Sequence, residues 1–342
     1  MSRPENPGEN AQRVLVIKLS ALGDFVLALG AMQAIRAKHP KAAITLLTTP
    51  PYAELAKATS LFQAIETDGR PEGMKATREL LKRIREAKYD IVYDLQTSGR
   101  TANYFKALNL PFRKPPLWSG HAQGSAYFHD NPSRGEMHSI DRLAEQLQVA
   151  GIGPEDIEGP WPPMADMSFV RRSQGDKPSF TPQFFSINGP YGLIIPGASA
   201  HREAKRWPVD CYGELARHIA DAGVTPVIIG SKAESSLAAE ILRMEPRVRN
   251  LVTRTSLFQI ITLAEQALFA VGNDTGPMHM AALSGCPGVA LFATSESDPA
   301  RAAPRGAQVI ICQADTLDQL GVRDVWQAVR MLGVIPGATA AG

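Results

Sequence analysis

Short apolar runs alternate with stretches whose apolar residues recur three or four positions apart. Val14-Leu15-Val16-Ile17-Lys18-Leu19, Ala43-Ile44-Thr45-Leu46-Leu47 and Asp90-Ile91-Val92-Tyr93-Asp94-Leu95 read as strands. Between them Leu80, Leu81, Ile84 and Ala87 share one helical face, with Lys and Arg on the other. That alternation is the βαβ pattern of a mostly parallel sheet. It breaks between about residues 151 and 190, where Pro154, Pro160, Pro162, Pro163, Pro178, Pro182 and Pro190 crowd a stretch without sustained periodicity. A second series follows, with strands at Gly192-Leu193-Ile194-Ile195, Pro226-Val227-Ile228-Ile229, Ala267-Leu268-Phe269-Ala270-Val271, Gly288-Val289-Ala290-Leu291-Phe292 and Gln308-Val309-Ile310-Ile311. The expected fold class is α/β, with two Rossmann-like doubly wound parallel-sheet domains at 13–165 and 191–335 and a linker at 166–190. Residues 1–12 are expected to be a disordered leader and 336–342 a mobile tail. In such sheets ligands sit outside the carboxyl ends of the strands, so the loops there are where chemistry is sought.

Composition narrows the reading. The 342 residues are 44% hydrophobic and 20% charged with a net charge of +2, the balance of a folded enzyme without a bias toward nucleic acid. The nearly uncharged run 25–35 is too short to span a bilayer and reads as a buried helix, and the polar leader lacks the apolar segment of a secretory signal. A cytoplasmic protein is expected. Cys211, Cys286 and Cys312 are odd in number and widely spaced, which predicts reduced thiols rather than a disulfide or a metal site. There is no Rossmann glycine fingerprint and no Walker A sequence, which disfavours a dehydrogenase or a P-loop kinase.

Four loops could carry chemistry. Leu19-Ser20-Ala21-Leu22-Gly23-Asp24 joins the first strand to a helix. There Asp24 is either a helix cap or a carboxylate placed to take a proton from an acceptor hydroxyl. After the strand at 192–195, Pro196-Gly197-Ala198-Ser199-Ala200-His201-Arg202-Glu203-Ala204-Lys205-Arg206-Trp207-Pro208 mixes a hydroxyl, amides and cations, which suits a diphosphate. Lys205 and Arg206 taken singly read as solvent-exposed charge, and Trp207 as a packing residue. Gly272-Asn273-Asp274-Thr275-Gly276-Pro277-Met278-His279 ends a strand and starts a helix whose free amides form an anion site, with Thr275 and Gly276 allowing close approach of a phosphate. A helix cap without ligand explains Asp274 and Thr275 equally, and His279 alone reads first as a packed or surface histidine. Glu234, in Ile229-Gly230-Ser231-Lys232-Ala233-Glu234, could accept from ribose hydroxyls or cap the next helix.

Together these loops resemble the ADP-heptose:lipopolysaccharide heptosyltransferases, the inverting glycosyltransferase family nine. The resemblance rests on Val16-Ile17-Lys18-Leu19-Ser20-Ala21-Leu22-Gly23-Asp24, Pro196-Gly197-Ala198 with Lys205-Arg206-Trp207-Pro208, Arg254-Thr255-Ser256-Leu257, and the segment from Gly272 to His279. It implies the GT-B fold, an acceptor-binding N-terminal domain facing a nucleotide-sugar-binding C-terminal domain across a cleft. It further implies Asp24 as general base and Lys205 as the residue meeting the donor phosphates. Ser199, Asp274, Thr275, Gly276 and His279 would line the diphosphate and sugar, Thr255 the base and Glu234 the ribose. The implied partners are an ADP-sugar donor and an acceptor like the lipopolysaccharide core, with peripheral contact at the inner membrane face and no nucleic acid. Such an acceptor carries carboxylates and phosphates, so Ser20, Gly23, Arg100 and Arg142 are acceptor-side candidates, with Arg113, Lys114 and His138 as further cations. No Asp-x-Asp occurs, and neither metal nor cofactor is expected. The loop Phe292-Ala293-Thr294-Ser295-Glu296-Ser297-Asp298-Pro299 departs from the family's Gly-Pro-Thr form. Transfer of another sugar from ADP or a different nucleotide, or non-catalytic sugar or nucleotide binding, are the competing readings.

Overall fold

The computed structural model describes residues 11–109, 115–198, 203–306 and 308–336. Ser199, Arg113, Lys114, residues 1–10 of the expected leader and residues 337–342 of the expected tail lie outside them. The chain divides after Ala165 into two compact units.

The first unit holds strands β1 (Arg13–Ile17), β2 (Ala43–Leu47), β3 (Ala64–Glu66), β4 (Ile91–Asp94), β5 (Leu117–Gly120) and β6 (Tyr127–Phe128), in the order β3-β2-β1-β4-β5-β6. The second holds β7 (Tyr191–Ile195), β8 (Thr225–Ile228), β9 (Arg249–Asn250), β10 (Phe269–Asn273), β11 (Gly288–Ala293) and β12 (Val309–Ala314), in the order β12-β11-β10-β7-β8-β9. Every pairing is parallel. Both sheets therefore reverse strand order at one place, between β1 and β4 and between β7 and β10. Chains leaving the carboxyl ends of those strands diverge to opposite faces and open a crevice there.

Helices cover the sheets because the strands are apolar on both sides. In β7, Leu193 and Ile195 join one buried cluster with Ile260, Leu263 and Met278, while Ile194 joins another with Trp207, Tyr212, Leu215 and Val329. That is the two-residue alternation of a strand sandwiched between helical layers. The strands β3, β5, β6 and β9 have two to four residues each, too few to show a period in sequence. Three of them, β3, β6 and β9, lie at sheet edges.

Residues 166–190, expected as a linker, are packed into the second unit. A helix, Phe169–Gln174, and 3-10 turns run through them; Phe185 and Ile187 sink into the β7 cluster. Arg171 Nε pairs with Glu265 at 2.7 Å, and Gln259 Nε2 donates to Ser179 O at 2.8 Å. The prolines interrupt periodicity without loosening the chain, because buried aromatic anchors hold it. The three cysteines are unbridged, and burial pushes the Cys286 thiol up to about 12. Among the described residues no helix is long and apolar enough to cross a membrane.

Candidate active site

In the second unit the crevice between β7 and β10 is organised by one carboxylate. Asp274 directly follows β10, and its Oδ2 accepts from Lys205 Nζ at 2.6 Å and from Ser297 Oγ at 3.0 Å. Its Oδ1 lies 3.5 Å from His279 Nε2. Lys205 ends the 3-10 turn Glu203–Lys205 after β7, Ser297 belongs to the loop after β11, and His279 lies in the helix Gly276–Leu283. Three loops and a helix thus meet on a single side chain. Burial alone would raise the Asp274 carboxyl, but the His279 imidazole and the Lys205 ammonium outweigh it and hold the group at about 2. The anion is therefore a fixed structural charge.

Beneath it, Asn273 is fully buried. Its Nδ2 donates to Pro196 O at 2.8 Å and Gly197 O at 3.3 Å, and its Oδ1 accepts from Tyr212 Oη at 2.9 Å. The loop leaving β7 is thereby pinned to the end of β10. Gly272 permits this approach, since a Cβ there would stand 2.5 Å from Ile195 O. Trp207 is a packing residue: its indole lies edge-on to Tyr212 at 4.9 Å, and Nε1 donates to Leu320 O at 2.8 Å.

Thr275 Oγ1 and His279 Nδ1, beside this hub, are buried and unpartnered within the chain, as is Thr255 Oγ1 in the loop after β9. Buried polar atoms are ordinarily paired, so Thr275 Oγ1 and His279 Nδ1 are free to meet a ligand or water beside the Asp274 hub. Thr275 is the N-cap of Gly276–Leu283 yet makes no side-chain cap bond. Its hydroxyl and the first-turn amides of that helix are placed to meet an anion. Glu234 makes the cap bonds that were one of its two readings, accepting from Ser231 N and Ser231 Oγ at 2.8 Å each through Oε2. Its Oε1 faces Gly197. Thr253 N donates to Gly230 O at 2.9 Å, which draws the Thr255 loop alongside.

In the first unit Asp24 is exposed in the first turn of the helix Leu22–Leu27, where its Oδ2 accepts from Ala21 N at 3.2 Å. The cap reading of Asp24 is thus realised, and its remaining lone pairs stay open to a ligand. Ser20 Oγ accepts from Arg70. Lys18 is buried and donates to Leu95 O at 3.2 Å; burial lowers its ammonium pKa, Asp24 opposes that, Arg142 reinforces it and Asp94 opposes it. Asp94, the last residue of β4, accepts from the Gln96 and Thr97 amides at 3.1 and 2.9 Å. Burial drives this carboxyl up to about 6, against the Thr101 hydroxyl, those two amides and Lys18. Gln96 Oε1 accepts from Leu19 N at 2.8 Å and Ser20 N at 3.1 Å. Arg142 lies in the helix Ser139–Val149 within electrostatic reach of Lys18, and His138 caps that helix by accepting from Ile140 N. Arg100 is exposed and donates to Pro71 O, next to the Arg70 that reaches Ser20, in an open surface pocket with Arg78 and Met74.

Lys18, Asp94, Gln96, Asn273 and Ser297 also belong to these two networks, and no local sequence pattern marks them, because most of their partners are distant in the chain. Among the described residues no group of three or more His, Cys, Asp or Glu is placed to hold a metal ion.

Residues 77–323 match glycosyltransferase family 9 (heptosyltransferase). The chain belongs to that family. This family member is accordingly a glycosyltransferase, and the matched span contains both β7 and β10 loops, while Asp24 precedes it. It is 29% identical over 313 residues to lipopolysaccharide heptosyltransferase 2 of Escherichia coli strain K12, covering 84% of each chain. It is 22% identical over 303 residues to the lipopolysaccharide core heptosyltransferase OpsX of Haemophilus influenzae, covering 86% of this chain and 82% of that one. Solved structures share its fold, two from E. coli among them. The E. coli ADP-heptose lipopolysaccharide heptosyltransferase II superposes with a TM-score of 0.70 at 24% identity, covering 94% of this chain and 98% of that one. The E. coli heptosyltransferase WaaC with ADP gives 0.72 at 20%, covering 94% and 99%.

Proposed function

We propose that this glycosyltransferase moves a heptose from ADP-heptose to a sugar of the lipopolysaccharide core by a single displacement with inversion. Asp24 takes the proton of the acceptor hydroxyl as that oxygen bonds to the anomeric carbon. The bond from that carbon to the β-phosphate oxygen breaks, and ADP leaves with its electron pair. Lys205 and the first-turn amides of Gly276–Leu283 stabilise the charge that develops on the leaving diphosphate, an interaction strongest in the transition state. Thr275 and His279 face the diphosphate and sugar, Thr255 the base and Glu234 the ribose. Ser20, Gly23, Arg100 and Arg142 serve the acceptor, whose lipid anchor brings the enzyme to the inner face of the cytoplasmic membrane.

The observation that carries this reading is the pair of unpartnered buried atoms Thr275 Oγ1 and His279 Nδ1 beside the Lys205–Asp274 pair at a sheet reversal. The names of the relatives supply the donor and acceptor. The test is incubation with ADP-heptose and lipid A-linked core acceptors, with mass spectrometry of the product. Asp24→Asn is expected to abolish transfer while ADP still binds; transfer by that variant at the parental rate would remove the base assignment.

A further inference from the structure

We propose that Gln96 is the positioning residue for the loop that carries Ser20 and Asp24. The inference rests on Asp24 being the general base, as proposed above.

The loop after β1 is held by side-chain bonds: Arg70 reaches Ser20 Oγ, Asp24 accepts from Ala21 N, and Gln96 takes the two amides nearest the strand. The strand ends at Ile17, and Asp24 itself is exposed. Two consecutive amides, Leu19 N and Ser20 N, point at one side-chain oxygen, Gln96 Oε1, at 2.8 and 3.1 Å. Both donors are backbone N–H groups, so the amide oxygen and not the NH2 must face them. Gln96 is in turn fixed from below. Its own amide donates to Asp94 Oδ1 at 3.1 Å, and the carbonyl of Leu95 accepts from buried Lys18 at 3.2 Å. Thr49 Oγ1 donates to Leu19 O at 3.0 Å from the other side.

The arrangement is a two-way clamp across the reversal between β1 and β4. Lys18, just after β1, holds the backbone after β4, and Gln96, after β4, holds the backbone after β1. Five residues separate Lys18 from Asp24, so the clamp sets where the helix Leu22–Leu27 begins and where its first-turn carboxylate stands. A general base must lie within hydrogen-bond reach of the proton it takes, and displacement of about 1 Å costs on the order of 100-fold in rate.

The test uses the full-length enzyme with Gln96→Met, which keeps the length and removes the acceptor, and Gln96→Glu, which keeps an oxygen able to accept both amides. For Gln96→Met, kcat is expected to fall by about 10- to 100-fold with the donor KM within about twofold of the parent. Gln96→Glu is expected to retain kcat within about threefold, a rescue that simple loss of packing would not give. Parental kcat in Gln96→Met overturns the proposal, as does an equal loss in a folded Gln96→Glu. If Gln96→Met fails to fold, Gln96→Glu decides alone, since retained turnover supports the clamp and its loss in a folded protein refutes it. Failure of the base assignment is separately visible, because Asp24→Asn would then transfer sugar normally.

Discussion

Replacing Asp274 with Asn tests whether one carboxylate organises the β7–β10 crevice. The parental group is held at about 2 instead of the 3.8 of a free aspartate, a preference for the ionised form worth roughly 2 kcal/mol. Only 11% of its side chain is exposed, so solvent screening removes little of this. The folded-state pKa is depressed. The stabilisation is therefore complete above the unfolded-state value and lost as pH falls through the folded-state value, between about 4 and 2. Asn keeps the shape and one acceptor oxygen but leaves the Lys205 ammonium, itself 10% exposed, without its anion. The expected loss is roughly 2–3 kcal/mol at pH 7, below the full cost of orphaning a deeply buried charge. It shrinks to about half by pH 3, where the parental protein is losing the same contribution. Urea titrations read by hydrogen exchange in peptides from 191–335 isolate the second unit, which matters because two units need not unfold together. A difference under about 0.5 kcal/mol at pH 7, or one that stays constant down to pH 3, refutes the reasoning.

Asp94→Asn should act with the opposite sign. Its carboxyl is raised to about 6, so ionisation opposes folding above that pH, and the variant gains roughly 2 kcal/mol at pH 7, an advantage that fades as pH falls from 6 to 4; a destabilised variant at neutral pH contradicts this. Asn273→Ala strips partners from Tyr212 Oη, Pro196 O and Gly197 O and should cost about 2–4 kcal/mol, read in urea titrations by hydrogen exchange in peptides from 191–335. Lys205→Ala is expected to weaken ADP-sugar binding and slow turnover in steady-state kinetics, and parental constants would leave Lys205 as merely the buried partner of Asp274.

Where the sequence was legible, the cause was local. The turn at Gly272 to His279 declares itself through a strand end, Pro277 in the first helical turn and Gly285 past the helix end with φ of +83°. Strands with four or more apolar residues announced their place in a doubly wound sheet, whereas β6 and β9, two residues each, exist only because a neighbour offers them hydrogen bonds. The segment 166–190 was misleading for a related reason. Proline density removes periodicity, while the anchoring of Phe185 and Ile187 depends on Leu193 and Leu263, which no local pattern displays. The clamp and the hub are the least legible features. Gln96 stands 77 residues from Leu19, and Lys205 stands 69 from Asp274. Spacing rules describe what lies on one helix face or one strand and say nothing about such pairs.

The two units repeat one topology, and each places an aspartate at its reversal, Asp94 ending β4 and Asp274 just beyond β10. Their opposite pKa displacements follow from what each was given as partners. Asp94 meets two backbone amides and a hydroxyl, with Lys18 directed instead at Leu95 O; neutral donors do not compensate full burial, and the proton is retained more easily. Asp274 meets an ammonium at 2.6 Å and an imidazole at 3.5 Å, and stays ionised. The chemistry proposed for the two units calls for this asymmetry. On the donor side a fixed anion lowers the cost of burying Lys205 close to where a diphosphate would sit. On the acceptor side Asp94 holds the backbone that carries Gln96 by accepting from the Gln96 and Thr97 amides, which a carboxyl oxygen does whether or not the group carries its proton.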